Sequence, residues 1–422
     1  MTLSRNPLKP LFLALMLGAG ASQAADFAAP ADLPPTAVVT QSLMALPAVR
    51  AAQAELRAAA AESRQLQAGE YEYSVGLGMT RRNVSGGADS NDWQASLQRG
   101  LRLPGKRQLD ARIGGQLVAE AEERVGDARH ESARQLLGLW YGALQAQREV
   151  ALWQKQAELL AEEQRIVALR VKRGDAARLD SLQADAALAQ ARSQVRQAES
   201  RAAAAVAELR QRFPELPAPN AEAALPALPP GDEAAWIEHT LEHNHELLAV
   251  QRASERARLQ TQRAERDRTP DPSIGLHVGS EQRGDERLIG VSLNIPLSGQ
   301  GRKARAERHL ALAEASSEME AGVRRRLAAE AAANWQRASA GVEGYQRLEE
   351  AATAMERHAD LAGRAHEMGE LGLSDTLLAR RNALDARLQA EQARLAANEA
   401  IARLLLDAHQ LWPLAEHDDA HH

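Results

Sequence analysis

Two acidic pairs follow two glycines in the same way. Asp175 and Asp180 follow Gly174, and Glu370 and Asp375 follow Gly369, the first acid of each pair one residue and the second six residues beyond its glycine. Carboxylates so placed can start a returning helix as N-cap or first-turn residues, worth about 1 kcal/mol. Repeated around a narrow opening, they would instead focus negative potential that favours cations and repels anions. Both readings apply to Asp180 and Asp375, with Asp175 and Glu370 able to add charge. His239 and His243 lie one helical turn apart, with His245 close by, and could pair on a metal. His417, His421 and His422 stand beside Asp418 and Asp419. The favoured reading of both groups is solvated surface or chain end, so no metal site is expected. No nucleophile–base pair, phosphate loop or metal tetrad occurs, so neither an enzymatic activity nor a cofactor is expected. Trp140 and Trp335, near the middle of long helical stretches, read as packing anchors.

Composition narrows the setting. The sequence contains no cysteine, which excludes disulfides, thiolate metal sites and a lipidated cysteine. Arg5 and Lys9, the apolar run Leu11 to Ala21 and the small-residue signal Ser22-Gln23-Ala24 read as a secretory signal peptide, residues 1–24. The run, about eleven residues, is too short to span a bilayer as a helix. Cleavage removes two positive charges and takes the net charge from -6 to -8. Basic residues are interspersed with acidic ones, as on solvated helix faces, and no nucleic-acid partner is expected. Alanine, leucine, glutamate, glutamine and arginine dominate while aromatics make up 3%, a mix that favours long helices. No later stretch approaches about 18 consecutive apolar residues, so any membrane crossing would be made by a β-barrel.

The elements that would position the acids occur twice. Arg173-Gly174-Asp175 to Ala184 is matched, about 195 residues later, by Met368-Gly369-Glu370 to Ala379. The same offset pairs Trp140 with Trp335, while Ser74-Val75-Gly76-Leu77 matches Ser273-Ile274-Gly275-Leu276 at about 199. A repeat of this length is architecture. It divides the chain into a first repeat, 25–213, a proline-rich linker, 214–231, a second repeat, 232–412, and a tail, 413–422.

Each repeat has the same predicted order. Residues 25–35 read as extended and 40–68 as one helix. The apolar period then falls to two. Tyr73, Val75, Leu77 and Met79 alternate with small or polar residues, as do Trp93, Ala95, Leu97, Leu101 and Leu103, with Arg99 breaking the apolar row. These predict strands over about 72–80 and 93–103 with a hairpin tip at 81–92. A helix over 106–171, a turn at Gly174 and a helix over 177–212 follow; glycines at 114, 115, 126, 138 and 142 either weaken the long helix or allow close approach. The second repeat predicts a helix over 233–267, strands over about 273–280 and 288–297, a tip at 282–287 and a proline-free helical stretch broken at 369–372. The offset changes between the strands of each hairpin, where a loop absorbs insertions.

Four strands cannot close a barrel, which needs about eight, and an open edge in lipid is forbidden. The strands therefore belong either to a soluble sheet or to a barrel shared by several protomers. The signal peptide, the element order, the duplication and the turn glycine followed six residues later by aspartate together resemble the TolC-type outer membrane factors. The junctions Leu103-Pro104-Gly105-Lys106-Arg107 and Ile295-Pro296-Leu297-Ser298-Gly299 resemble that family's strand-to-helix junctions, and Pro-Gly-Lys-Arg resembles its cation-efflux, CzcC-like branch.

The resemblance implies a mainly α protein with a membrane β-barrel. It implies a homotrimer in the outer membrane, twelve strands above a long helical periplasmic tunnel. Its function would be that of the passive exit duct of a tripartite efflux system, with type I protein secretion as the alternative. Its partners would be outer-membrane lipid, a periplasmic adaptor and an inner-membrane pump of RND type. The resemblance places Asp180 and Asp375 at the closing end of the duct, though Leu378 stands where the family often has a further acid. It makes the turns at Gly174 and Gly369 a docking surface for the adaptor, with Arg173, Arg178, Met368 and Leu373 as contact candidates. A periplasmic adaptor and a coiled-coil envelope protein are the rival readings; neither needs two hairpins of membrane-spanning length.

Overall fold

The computed structural model describes residues 32–412 apart from Val84, Ala88 and 220–223. The expected signal peptide, residues 25–31 and the tail with its three histidines lie outside the described residues. Two short helices, α1 (Thr36–Ala45) and α2 (Pro47–Ala68), lead into strands β1 (Tyr73–Arg82) and β2 (Ser90–Gly100). Helix α3 (Lys106–Arg173) then turns back as α4 (Arg178–Arg212). The order recurs in α5 (Glu233–His243), α6 (His245–Arg266), β3 (Ser273–Glu281), β4 (Glu286–Asn294), α7 (Gln300–Glu367) and α8 (Leu373–Asp407). Helices α3 and α7 each contain 68 residues, and α4 and α8 each contain 35. At 1.5 Å per residue the longer pair extends about 100 Å.

Two predicted single helices are each divided. Pro47 has no N–H to donate, so it ends α1 and takes the first turn of α2, where that N–H is not needed. Asn244 divides the other: its side chain accepts from the Leu247 N–H at 2.9 Å and caps α6. Local capping chemistry interrupts an amphipathic pattern that runs through both breaks.

The core sits around the middle of α3. Leu136, Leu137, Trp140, Tyr141 and Leu144 pack with Val39 and Leu43 of α1, Val342 of α7, and Leu395, Ile401 and Leu404 to Leu406 of α8. Phe213, at the end of α4, and Leu216 of the linker join them, and Leu228 packs beside them, so the linker lies against the core. Asp32 is fully buried here: its backbone oxygen accepts from the Trp140 indole at 2.7 Å, and its carboxylate accepts from Tyr141 at 3.3 Å and Asn398 at 2.9 Å. Trp335 stacks on Trp236 with ring centroids 6.3 Å apart. Both predicted tryptophan anchors thus pack. Farther along the bundle the contacts are made by small residues: Ala359 and Ala362 meet Ala379 and Ala383. Such positions let long helices run close together. Gly114 lies against the Ser63 backbone, where an added methyl would sit 3.1 Å from its Cα.

The four strands form one antiparallel sheet in the order β1-β2-β3-β4. Pairing starts farther out than predicted. Arg82 pairs with Ser90 and Thr80 with Asp92, and Arg82 forms ion pairs with Asp92 at 2.9 Å and with Glu281. Polar cross-strand pairs carry the ladder past the last alternating apolar residue. At the other end the regular ladder of β2 stops at Gly100 because Pro272, opposite Leu101, has no N–H to return a bond. The Leu101 N–H donates to Pro272 O at 2.8 Å.

Candidate channel wall and helical turn site

The register brings every apolar row to one face. Val75 pairs with Leu97, Leu97 with Leu276, and Leu276 with Val291; Leu77, Ala95, Val278 and Ile289 form the next row. The opposite face carries Gly76, Ser96, His277 and Gly290, then Ser74, Gln98, Gly275 and Ser292. Leu77, Met79 and Ile289 are more than four-fifths exposed, at 82%, 84% and 85%. A contiguous apolar face this bare in the single chain requires a cover. Among the described residues β1 and β4 are each paired on one side only. The sheet therefore has an apolar face, a small polar face and two open edges.

Arg99, which breaks the apolar row, lies at the helix end of the sheet. It donates to Tyr71 O at 3.0 Å and the Tyr73 hydroxyl at 3.1 Å, and its guanidinium sits 4.7 Å from the Tyr73 ring centroid. An arginine paired with tyrosine suits the boundary between apolar and aqueous surroundings.

Sheet and helices meet at a group of charged side chains that sequence reasoning missed. Lys106, 1% exposed, lies 3.0 Å from Asp267 and 2.9 Å from Asp271 and donates to Thr269 O at 2.7 Å. Arg263 reaches Asp110 at 2.6 Å and also pairs with Asp267. Arg102 holds Asp110 at 2.9 Å and caps the end of α2 through the oxygens of Leu66, Gln67 and Ala68. The Tyr71 hydroxyl donates to Asp271 at 2.5 Å. Burial pushes the Asp267 and Asp271 carboxyls up. Hydrogen bonds from Arg263 and Lys106 to the first, and from Tyr71, the Leu103 N–H and Lys106 to the second, outweigh this and hold both below the ordinary range. The Lys of the Pro-Gly-Lys-Arg string is thus the hub of a clasp between the two repeats. Only Lys106 lay in a motif that the sequence singled out; its partners, more than 150 residues away, carried no local signal.

At the far end of the long helices, Gly174 and Gly369 adopt φ of 84° and 81°. Each occupies the left-handed position of a Schellman turn. Asp175 N–H donates to Arg170 O and Gly174 N–H to Val171 O; Glu370 N–H donates to Ala365 O and Gly369 N–H to His366 O. The duplication extends to this hydrogen-bond pattern.

The predicted site residues gather at these turns but face different surroundings. Asp180, half-buried, accepts from the Ala177 N–H at 3.2 Å and satisfies an open donor at the start of α4. Asp375 takes the equivalent place in α8, where Gly372 is the N-cap, and is exposed. Asp175, Glu370, Arg173, Arg178 and Met368 are all exposed. Leu373 is 3% exposed and packs against Val167 and Ala184, joining the tips of the two repeats. Its apolar side chain serves that junction in the single chain, which periodicity beside a glycine turn does not reveal. Ser374 donates to the Gln183 side chain at 3.1 Å across the same junction. Just above it, buried Glu163 of α3 pairs with Arg380 of α8 at 2.6 Å, and His366 of α7 lies 3.7 Å from the same carboxylate. The turns thus present exposed acids on a tip fixed by apolar and ionic contacts between the repeats.

Among the described residues no helix is long and apolar enough to cross a membrane. No protein-family model matches the chain. Known structures resemble it over nearly its full length. The outer-membrane channel OprN has a TM-score of 0.76 at 20% identity, covering 89% of this chain and 90% of that one. VceC, an outer membrane protein of Vibrio cholerae, has a TM-score of 0.73 at 15% identity, covering 90% and 100%. The CmeC outer membrane channel of Campylobacter jejuni has a TM-score of 0.69 at 16% identity, covering 91% and 87%. In sequence, the alkaline protease secretion protein AprF of Pseudomonas aeruginosa is 26% identical over 210 residues, 45% of this chain. That match spans 44% of AprF, less than half its length. The fold of the chain is that of the TolC-type outer-membrane channels.

Proposed function

We propose that this protein is the outer-membrane exit duct of a tripartite efflux system, passing substrates from a periplasmic adaptor and an inner-membrane pump to the exterior. The observation that carries this reading is the four-stranded sheet, apolar on one face and open at both edges, set on helices about 100 Å long. An apolar face in lipid requires closed edges, and four strands are too few to close alone. Three copies supply twelve strands, joining β1 of one copy to β4 of the next. The apolar faces then meet lipid, and the rows of glycine, serine and glutamine line water. The helices continue as a periplasmic tunnel whose far end carries the Gly174 and Gly369 turns. There Asp180 and Asp375, with Asp175 and Glu370, form rings of carboxylate that bias passage toward cations, and the exposed turn residues meet the adaptor. The duct is passive and is not an enzyme.

Chemical cross-linking of intact cells and native mass spectrometry in detergent should both give a trimer in the outer-membrane fraction. A stable, soluble monomer in the periplasm would overturn the proposal. The likeness to AprF, named as a secretion protein, favours a second reading in which the same duct serves type I protein secretion. Deleting the gene separates the two. Loss of an exported polypeptide with unchanged small-molecule tolerance supports secretion; the reverse supports efflux.

A further inference from the structure

Five of the chain's twelve histidines meet at one place outside the proposed duct mouth. His130 belongs to α3, His239 and His243 to α5, His245 opens α6, and His409 follows α8. Ring centroids lie 4.5 Å apart for His239–His243, 5.0 Å for His245–His409, 5.3 Å for His130–His409 and 6.2 Å for His243–His409. Imidazoles bound tetrahedrally to one ion through bonds of about 2.0 Å have centroids roughly 5 Å apart, a spacing that the His239–His243 and His245–His409 pairs match.

The backbone at His409 is informative. Helix α8 ends in the same turn as α3 and α7: Gln410 N–H donates to Leu405 O at 2.8 Å and His409 N–H to Leu406 O at 3.0 Å. In the other two turns the left-handed residue is glycine. Here it is histidine, at φ 56°. A side chain is disfavoured in that conformation, and residues held there cluster at functional sites. The unfavourable choice places a fifth imidazole among four.

The ring nitrogens are already sorted. His243 Nδ1 donates to His239 O at 3.0 Å, and His239 Nε2 to Ala408 O at 3.0 Å. His245 Nδ1 donates to the Glu123 carboxylate at 2.9 Å, and its Nε2 is buried without a hydrogen-bond partner among the described residues. Fixing one nitrogen with an oxygen leaves the lone pair of the other for a ligand, the arrangement that supports metal-binding histidines. The carboxylate of Glu242 completes a group with His239 and His243 whose ligand atoms lie within 4.8 Å of one another.

We propose that this cluster is a transition-metal site of the Zn2+ class, seeded by His239, Glu242 and His243, whose ligand atoms already lie together, with His409 and His245 closing on the ion. Imidazole donors select Zn2+, Cu2+ or Ni2+ over Mg2+ or Ca2+. An ion here ties α5, α6 and the end of α8 together against α3, where Glu123 orients His245 and the His130 ring stacks on His409.

The test uses the full-length protein in detergent, with His417, His421 and His422 changed to alanine so that the tail does not bind. Titration calorimetry with Zn2+ should give one ion per chain, and Co2+ should show the visible absorption of a tetrahedral nitrogen site. His409→Gly restores the glycine that this turn prefers. It should keep or raise the metal-free Tm yet weaken Zn2+ binding by at least about tenfold, and Glu123→Gln should also weaken it about tenfold. His243→Ala, on the exposed edge, provides a variant that leaves the α8 turn intact and should show the same loss. Absence of Zn2+ binding in the parent protein, or unchanged affinity in both His409→Gly and His243→Ala, would overturn the proposal.

Discussion

Lys106 shows how far a residue's role can depend on groups remote in sequence. Its ammonium is buried and faces Asp267 and Asp271 across the joint between the repeats. Lys106→Met keeps the length of the side chain but leaves Asp271 without its cation and Asp267 with Arg263 alone. Breaking a buried pair in this way costs about 3 kcal/mol, the low end because both aspartates keep some solvent. Chemical denaturation should register that loss, whereas Lys303→Met, at an exposed place near the start of α7, should change stability by less than about 0.5 kcal/mol. Both aspartates are held below their unfolded range. Their contribution is therefore full above about pH 4 and is lost as pH falls through the folded values, and Lys106→Met should reduce this acid sensitivity. The turn acids are a different case, since their matched places after two glycines were visible in the sequence. Asp180→Asn with Asp375→Asn should lower cation selectivity and weaken block by multivalent cations in planar bilayers. Asparagine caps a helix about as well as aspartate, so trimer yield should hold. Normal conductance in the double variant would leave Asp180 with the capping bond it makes to Ala177 and nothing more.

At the scale of elements, alternation identified the strand faces because side chains switch sides at every residue. It did not fix the strand ends. Arg82, Ser90 and Asp92 look like loop residues by composition, yet they pair across the strands, and the Arg82–Asp92 ion pair extends the ladder. The helix divisions at Pro47 and Asn244 were hidden for the opposite reason: the amphipathic pattern continues through a break made by one missing N–H or one side-chain cap. The two sheet faces give a paired prediction. Leu77→Arg, at the centre of β1 on the apolar row, should cost about 2–4 kcal/mol and sharply reduce the amount of protein in the outer membrane. Gln94→Arg, on the polar face of the neighbouring strand, should insert normally and alter only conductance. Fractionation and heat-modifiable gel mobility read both variants. Equal tolerance of the two arginines would mean that the apolar face does not meet lipid.

The molecule as a whole is polarised along its length. The hairpin tips, 83–89 and 282–285, stand at one end of helices about 100 Å long, and the Gly174 and Gly369 turns at the other. The duplication made this layout legible, since two copies of one plan place both hairpins and both glycine turns in equivalent positions. The histidine cluster was not legible: His239 and His243 stood out, but His130 and His409 reach them only when α3 and the end of α8 are packed together. If the sheet crosses the outer membrane, one end faces the exterior and the other the periplasm. The lack of native cysteine makes this directly measurable. Ser85 lies in the first hairpin tip, and Ser374 lies at the far turn beside Gln183. Ser85→Cys should react with an impermeant maleimide in intact cells. Ser374→Cys should stay unlabelled until the outer membrane is permeabilised and then react, since its side chain is exposed in the single chain. The second step matters, because it shows that Ser374→Cys is protected by the membrane and not by burial. Labelling of both cysteines in intact cells would place the two ends on the same side and remove the basis for a trans-membrane duct.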